Sequence, residues 1–272
     1  MCGITGFINL NGAPASSVIL KKMTDAIAHR GPDGEGQWVE GNVGIGHRRL
    51  AIIDLSPAGH QPMISADHRY VLSYNGEIYN YREIRKVLES RGVQFRTTSD
   101  TEVLLEGYRE FGWSVLDMLE GMWAFALYDQ DAGRLSLSRD RFGEKPLYIT
   151  KAPQGLAYAS EVNALSTLIG TRLIPNHDHI RRFLVTGYKS LYKTSNTFFQ
   201  GVSELAAGTL MHVDDDGSTR IESYWTPRLD IDENMDFDEA VAGARDQLSR
   251  SVEIRLRADV PLAFSLSGGV DS

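Results

Sequence analysis

The 272-residue sequence is compatible with an α+β fold that runs into the opening of an α/β unit. Three observations carry this expectation. Short β-rich runs recur at hairpin spacing across residues 123–160. Stretches with helical apolar periodicity lie on both sides of them. From residue 236 the pattern changes to a capped helix, a continuous apolar run and a Ser-Gly-Gly turn, which is how an α/β unit begins.

Cys2–Asn9 is β-rich and ends in Asn-Leu-Asn-Gly, a turn signal. Ser17–His29 spaces Val18, Leu20, Met23, Ile27 and Ala28 as an amphipathic helix, and Arg30-Gly31-Pro32-Asp33-Gly34 stops it. Val43–Asp54 and Tyr70–Tyr74 read as strands. Tyr81–Arg91 is a helix closed by Gly92. Thr101–Phe111 is another, with Asp100 in the N-cap position. Trp123–Asp129, Leu135–Arg139, Leu147–Thr150 and Leu156–Ser160 are short strands; Glu161–Leu168 and His177–Val185 are helical. The stretch from Thr194 to Trp225 is rich in strands and turns, and Trp225–Asn234 has linker composition. A helix starts at Asp236 with Glu239 completing a capping box, and Pro261–Leu266 reads as a buried strand. One strand makes no parallel sheet, so a second domain is expected to begin near residue 236 and to be cut off after residue 272.

Composition narrows the function classes. The chain is 42 % hydrophobic and 24 % charged, ordinary for a globular protein. Its 28 basic and 36 acidic residues give a formal charge of −8, which argues against a polyanion-binding surface over the whole molecule. A single cysteine allows no internal disulfide and fits a reducing compartment. No apolar run is long enough for a membrane span, and the N-terminus lacks signal-peptide character. The expectation is a cytoplasmic protein without nucleic-acid or membrane partners. The seven histidines show no metal-ligand spacing, and His177 and His179 are expected on a polar helix surface.

Cys2 is the first residue with chemistry. A small residue after the initiator methionine favours removal of that methionine. Cys2 would then carry a thiol and a free α-amine, the amine titrating near 7.7–8.0 and the thiol near 8.5. Such an amine can act as base for its own thiol, with no separate histidine. Taken alone, a Met-Cys start is more often a buried apolar filler or a lipidation site.

Ordered motifs change those odds. Met1-Cys2-Gly3-Ile4-Thr5-Gly6 resembles the start of class II glutamine amidotransferases. His29–Gly34, His47–Ile52, Tyr74–Asn80, Ser99–Glu102, Arg139–Gly143, Lys145–Tyr148 and Ala159–Glu161 follow in that family's order. The closing Leu266–Ser272 resembles the pyrophosphate loop of an ATP-pyrophosphatase synthetase domain. Together the motifs resemble the glutamine-hydrolysing asparagine synthetase family over the whole chain.

The resemblance implies an α-β-β-α sandwich of the N-terminal nucleophile hydrolase type. It implies a glutaminase domain over residues 1–210, a connecting segment over 211–235 and the truncated start of the synthetase domain over 236–272. Cys2 would be the nucleophile. Asn75 and Gly76 would form the oxyanion hole, although Asn-Gly alone is first a hairpin turn. Arg49 would take the glutamine carboxylate through its guanidinium fork, with the backbone of Leu50, Ala51, Ile52 and Ile53 lining the same pocket. Asp100, with Glu77 alongside, would take the ammonium. Arg30–Gly34 either shapes the pocket entrance or is turn chemistry alone. Ser267, Gly268, Gly269, Val270, Asp271 and Ser272 would cradle the pyrophosphate of ATP, without the lysine of a Walker A loop. The glutaminase half implies no cofactor or metal; ATP, Mg2+ and aspartate belong to the full-length enzyme. Homodimerisation is compatible with the sequence and not specified by it. Two alternatives stand beside this reading: an amidotransferase of a surface-polysaccharide pathway with the same domains, and a non-catalytic regulatory module of the same fold.

Overall fold

Alternation along the central strands places apolar side chains on both faces, so each sheet has to be covered twice. In the strand Gly121–Asp129, Trp123, Phe125 and Leu127 point to one side and Ala124, Ala126 and Tyr128 to the other. The computed structural model describes residues 1–170, 172–188, 191 and 194–269. It resolves the demand with four layers, helix on sheet on sheet on helix.

In chain order the elements are β1 (Gly3–Asn9), α1 (Ser17–Ala26), β2 (Gly34–Glu40), β3 (Val43–Arg49), β4 (Met63–Ile64), β5 (Tyr70–Ile78), α2 (Tyr81–Ser90), α3 (Asp100–Phe111) and α4 (Val115–Met118). There follow β6 (Gly121–Asp129), β7 (Arg134–Arg139), β8 (Tyr148–Ala152), β9 (Gly155–Ala159), α5 (Val162–Ile169) and α6 (His177–Thr186). The last are β10 (Val202–Glu204), β11 (Thr209–Asp214), β12 (Thr219–Ser223) and α7 (Phe237–Arg255). One sheet has the order β10-β8-β9-β1-β3-β2 and the other β12-β11-β7-β6-β5-β4. Every pairing between these strands is antiparallel.

Ile4, Ile8, Val43 and Ile45 from the first sheet meet Val71, Ala124, Leu137 and Met211 from the second in the central core. Phe7, Ala157 and Ala159 pack outward against Leu20, Met23 and Ile27 of the α1 side and Leu165 of α5. Leu72, Tyr74 and Phe125 pack outward against Ile84, Leu88, Leu104 and Leu116 from α2 to α4. Each large side chain buried this way contributes about 1.5–3 kcal/mol.

Several expectations change. β2 and β4 were not legible: the Glu and Gln of Gly34–Glu40 mask an edge strand, and β4 is only two residues long. Tyr70–Tyr74 extends to Ile78, so Asn75 and Gly76 lie inside a strand paired with Ala124 and Trp123 and form no hairpin turn. The N-cap of α3 is Ser99, whose hydroxyl accepts from the Thr101 amide; Asp100 is the first helical residue. His179 is buried edge-on against Phe198, while His177 is exposed. The second sheet includes β12, so regular structure continues past residue 210 to Ser223. The Asp236–Glu239 capping box is formed. Pro261–Leu266 is irregular and exposed, because no described strand lies beside it to take its N–H and C=O groups. Ser267, Gly268 and Gly269 continue that exposed segment, whereas Val270, Asp271 and Ser272 lie outside the described residues.

Candidate active site

Strand alternation brings the site together. On β3, Val43 and Ile45 face the central core; His47 and Arg49 share that parity. On β5, Val71 faces it, and Ser73 crosses it to donate to the Gly46 carbonyl at 3.1 Å; Asn75 follows two residues later. Ile4 and Ile8 of β1 face it, and Cys2 precedes Ile4 by two. Cys2, Arg49 and Asn75 therefore converge at one end of the space between the sheets. All three line one cavity, with Leu50, Ile52, Ile53, Gly76, Glu77 and Asp100.

The Cys2 thiol is anchored on Leu50, accepting from its amide at 3.3 Å and facing its carbonyl at 3.4 Å. Burial pushes the thiol above its ordinary pKa, and the Leu50 amide pulls it partly back. The thiol therefore needs a base to ionise. Met1 occupies the same cavity, and burial holds its α-amine below the ordinary value. Arg30 holds the Cys2 backbone, donating from Nε to its carbonyl at 2.9 Å and from Nη1 to Glu161 at 3.0 Å. Asp33 accepts from the Ala51 amide at 2.9 Å. Residues 30–34 are thus a support for Cys2 and its neighbouring loop.

Asn75 is buried, and its Nδ2 has no hydrogen-bond partner among the described residues. Backbone direction adds a second donor. The amides of Tyr74 and Ile78 point away from β6, to Gln61 Oε1 at 2.6 Å and to Asp100 Oδ2 at 3.0 Å. Alternation aims the Gly76 amide to the same edge, between them. A Cβ at Gly76 would collide with the Met122 carbonyl, so the close approach of β5 and β6 here requires glycine.

Asp100 is buried beneath this edge, also accepting from the Tyr74 hydroxyl at 3.0 Å. Burial raises its pKa to about 6. Burial also raises Glu77, with the Lys145 ammonium opposing. His47 is fully buried and held neutral, its pKa lowered to about 3 by burial, with Nε2 placed 3.1 Å from the Tyr74 carbonyl to donate to it.

Arg49 is engaged with its own loop. Its guanidinium donates to the carbonyls of Ser56 (2.9 Å), Ile53 (3.4 Å) and Asp54. Gly59 packs on it so closely that a Cβ would overlap the guanidinium. Asp54 has a positive φ of 55°, a conformation aspartate tolerates better than most residues. Burial disfavours its charged form, yet the Ser56 hydroxyl and the Thr98 and Ser56 amides hold its pKa below the ordinary range.

The expected residues Cys2, Arg49, Leu50, Ile52, Ile53, Asn75, Gly76, Glu77 and Asp100 share this cavity. Ala51 does not line it; its amide turns to Asp33. Tyr74, Gln61, Gly59 and Lys145 are site residues whose roles the sequence reading missed. Tyr74 and Lys145 stood inside the ordered motifs; Gln61 and Gly59, in an irregular stretch, carried no signal. Among the described residues no group of three or more His, Cys, Asp or Glu side chains could hold a metal ion.

The glutamine amidotransferase domain family matches residues 1–225. The chain belongs to this family. The asparagine synthase family matches residues 243–272. Among curated relatives, asparagine synthetase [glutamine-hydrolyzing] 2 of Bacillus subtilis is 36 % identical over 293 residues, covering 100 % of this chain and 38 % of its own length. Asparagine synthetase [glutamine-hydrolyzing] 3 of the same organism is 36 % identical over 282 residues, covering 100 % of this chain and 44 % of its own. The chain thus spans less than half the length of these relatives. A solved glutamine phosphoribosylpyrophosphate amidotransferase of B. subtilis matches at 21 % identity and a TM-score of 0.62, over 83 % of this chain and 50 % of that one. That likeness carries the fold alone, the four-layer sandwich. No described helix is long and apolar enough to cross a membrane.

Proposed function

We propose that this amidotransferase domain hydrolyses glutamine with Cys2 as nucleophile, and that the whole protein delivers the ammonia to an acid activated by ATP. One observation carries the first half: Asn75, whose buried Nδ2 has no hydrogen-bond partner among the described residues, lines the same cavity as Cys2. A buried donor left unsatisfied costs about 1–3 kcal/mol, which a developing oxyanion would recover.

With Met1 removed, the Cys2 amine would take the thiol proton. The thiolate attacks the side-chain carboxamide carbon of glutamine. Asn75 Nδ2 and the Gly76 amide stabilise the oxyanion. The C–N bond then breaks, the nitrogen takes up the proton and leaves as ammonia, and a glutamyl thioester remains. Water hydrolyses the thioester to glutamate and restores the thiol. The buried Asp100 carboxylate, with Glu77 in the same cavity, suits the substrate ammonium; the Arg49 guanidinium suits its carboxylate.

For the second half, the support is the synthase-family match at 243–272 and the names of the curated relatives. The names give asparagine as the product, so aspartate is the acceptor of this reading; ATP and Mg2+ come from the resemblance of Leu266–Ser272 to the pyrophosphate loop of an ATP-pyrophosphatase domain. Ser267, Gly268 and Gly269, with Val270, Asp271 and Ser272, would be the first elements of the phosphate cradle. We place the domain boundary after β12, near residue 225, rather than at 210, and the start of the synthetase unit near Asp236. The single thiol kept free for catalysis favours the cytoplasm.

The test is glutamate release from glutamine by the purified chain, with N-terminal mass read on the same sample. Release that disappears in Cys2→Ala is the expected result. Release that survives the substitution would refute Cys2 as nucleophile, whereas no release from the unsubstituted chain with Met1 gone would favour the non-catalytic reading of this fold.

A further inference from the structure

The segment that follows α7 reaches back over the amidotransferase fold and grips the wall of the cavity. Asp259 Oδ2 accepts from the Asp54 amide at 2.8 Å, and the Asp259 amide donates to the Ile52 carbonyl at 2.9 Å. Two residues earlier, Arg257 forks onto Glu83, at 2.5 and 2.7 Å, and donates to the Tyr79 carbonyl at 2.7 Å. Residues 257–259 are therefore tied at two points, one on α2 and the end of β5, the other on the loop after β3.

That loop sets the geometry of the site. Its carbonyls at 53, 54 and 56 are the ones that Arg49 holds, and its first residue, Leu50, anchors the Cys2 thiol. Asp54 is the pivot. Its left-handed backbone is held on three sides: the amide by Asp259, the carbonyl by Arg49, the carboxylate by Ser56 and Thr98. A sparsely populated backbone conformation persists only when its surroundings over-determine it. Asp259 is the one of these supports that comes from outside the family match at 1–225.

We infer that Asp259 is a positioning residue for glutamine binding: through Asp54 it fixes the loop on which Arg49 is oriented, so glutamine affinity reports the placement of the segment after α7. The inference rests on the glutaminase reading above. It assigns the two-domain chain a point of contact through which the synthetase unit would adjust the glutamine site.

The experiment compares the full chain with Asp259→Ala and Asp259→Asn. Amide hydrogen exchange is read at residues 50–56, and steady-state glutaminase kinetics on the same samples. In Asp259→Ala the Asp54 amide loses its acceptor, so exchange in the loop rises while that of the sheets stays unchanged. KM for glutamine rises roughly tenfold and kcat changes much less. Asp259→Asn keeps an acceptor oxygen and restores most of both. Unchanged loop exchange in Asp259→Ala, faster exchange with an unchanged KM, or no rescue by Asp259→Asn would each overturn the inference. If the unsubstituted chain shows no Cys2-dependent glutamate release, the glutaminase reading itself falls and this proposal with it, an outcome separate from the other three.

Discussion

Asp100 and His47 show how single buried groups set the pH behaviour of the site. Burial raises the Asp100 pKa to about 6, so the folded state holds its proton more tightly than the unfolded chain. Its contribution to stability is largest at low pH and is lost as pH rises from about 4 to 6. His47 is shifted the other way, to about 3. Its contribution is present above about 6.5 and is lost as pH falls toward 3. The two slopes oppose each other across the same window. Asp100→Asn removes one of them, so its melting temperature should climb more steeply than that of the unsubstituted chain between pH 4 and 6. Calorimetry across that range checks this. Under the proposed function, protonation of Asp100 would remove the partner of the glutamine ammonium, so KM for glutamine should rise as pH falls below about 6. The rise should be absent in Asp100→Asn, whose KM is already high. A flat KM profile in the unsubstituted chain would remove Asp100 from that role.

At the scale of elements, the loop between β7 and β8 explains why its motif is so rich in charge. The Asp140 carboxylate, fully buried, accepts from the amides of Trp123, Phe142, Glu144 and Lys145 at 2.9–3.2 Å. Arg139 closes the same loop, donating to the carbonyls of Gly143, Lys145 and Leu205 at 2.6–2.7 Å. These two side chains replace regular backbone pairing and hold Lys145 against the cavity. Asp140→Ala would leave several buried amides without an acceptor, each costing roughly 1–3 kcal/mol. A loss of at least about 3 kcal/mol in urea unfolding is expected, with Asp140→Asn less affected. A loss below about 1 kcal/mol would mean that water replaces the carboxylate.

At the scale of the whole molecule, the four-layer sandwich and the segment beyond β12 depend on each other unequally. Among the described residues, the contacts that return to the sandwich from α7 and the segment after it include the buried Ile254, the Arg250–Glu120 and Arg257–Glu83 pairs, the Arg255–Tyr79 stack and the Asp259 grip. Most of the apolar side chains of α7 are exposed, Phe237 and Leu248 among them. Exposed ion pairs contribute little, about 0–1 kcal/mol each. A chain ending at residue 225 should therefore melt within a few degrees of the 272-residue chain by calorimetry. Its KM for glutamine should nevertheless rise, as in Asp259→Ala, because the support of Asp54 is gone. A large drop in melting temperature would show that α7 belongs to the stability of the sandwich.

Local sequence determined the elements whose signals are local. Apolar alternation marked β6, β7 and β9, glycine closed α2 at Gly92, and the Asp236–Glu239 pair capped α7. The ordered motifs also carried the family and most of the residues that line the cavity. Tertiary structure alone decided the rest, because those features depend on partners distant in the chain. Whether Asn75-Gly76 turns or extends depends on β6, nearly fifty residues away. Whether Pro261–Leu266 becomes a strand depends on a neighbour to pair with. The roles of Gln61, Gly59 and Asp259 depend on long-range contacts with Tyr74, Arg49 and Asp54. Periodicity and capping act over a few residues and are written in the sequence; a hydrogen bond across a cavity exists only once the chain has closed around it.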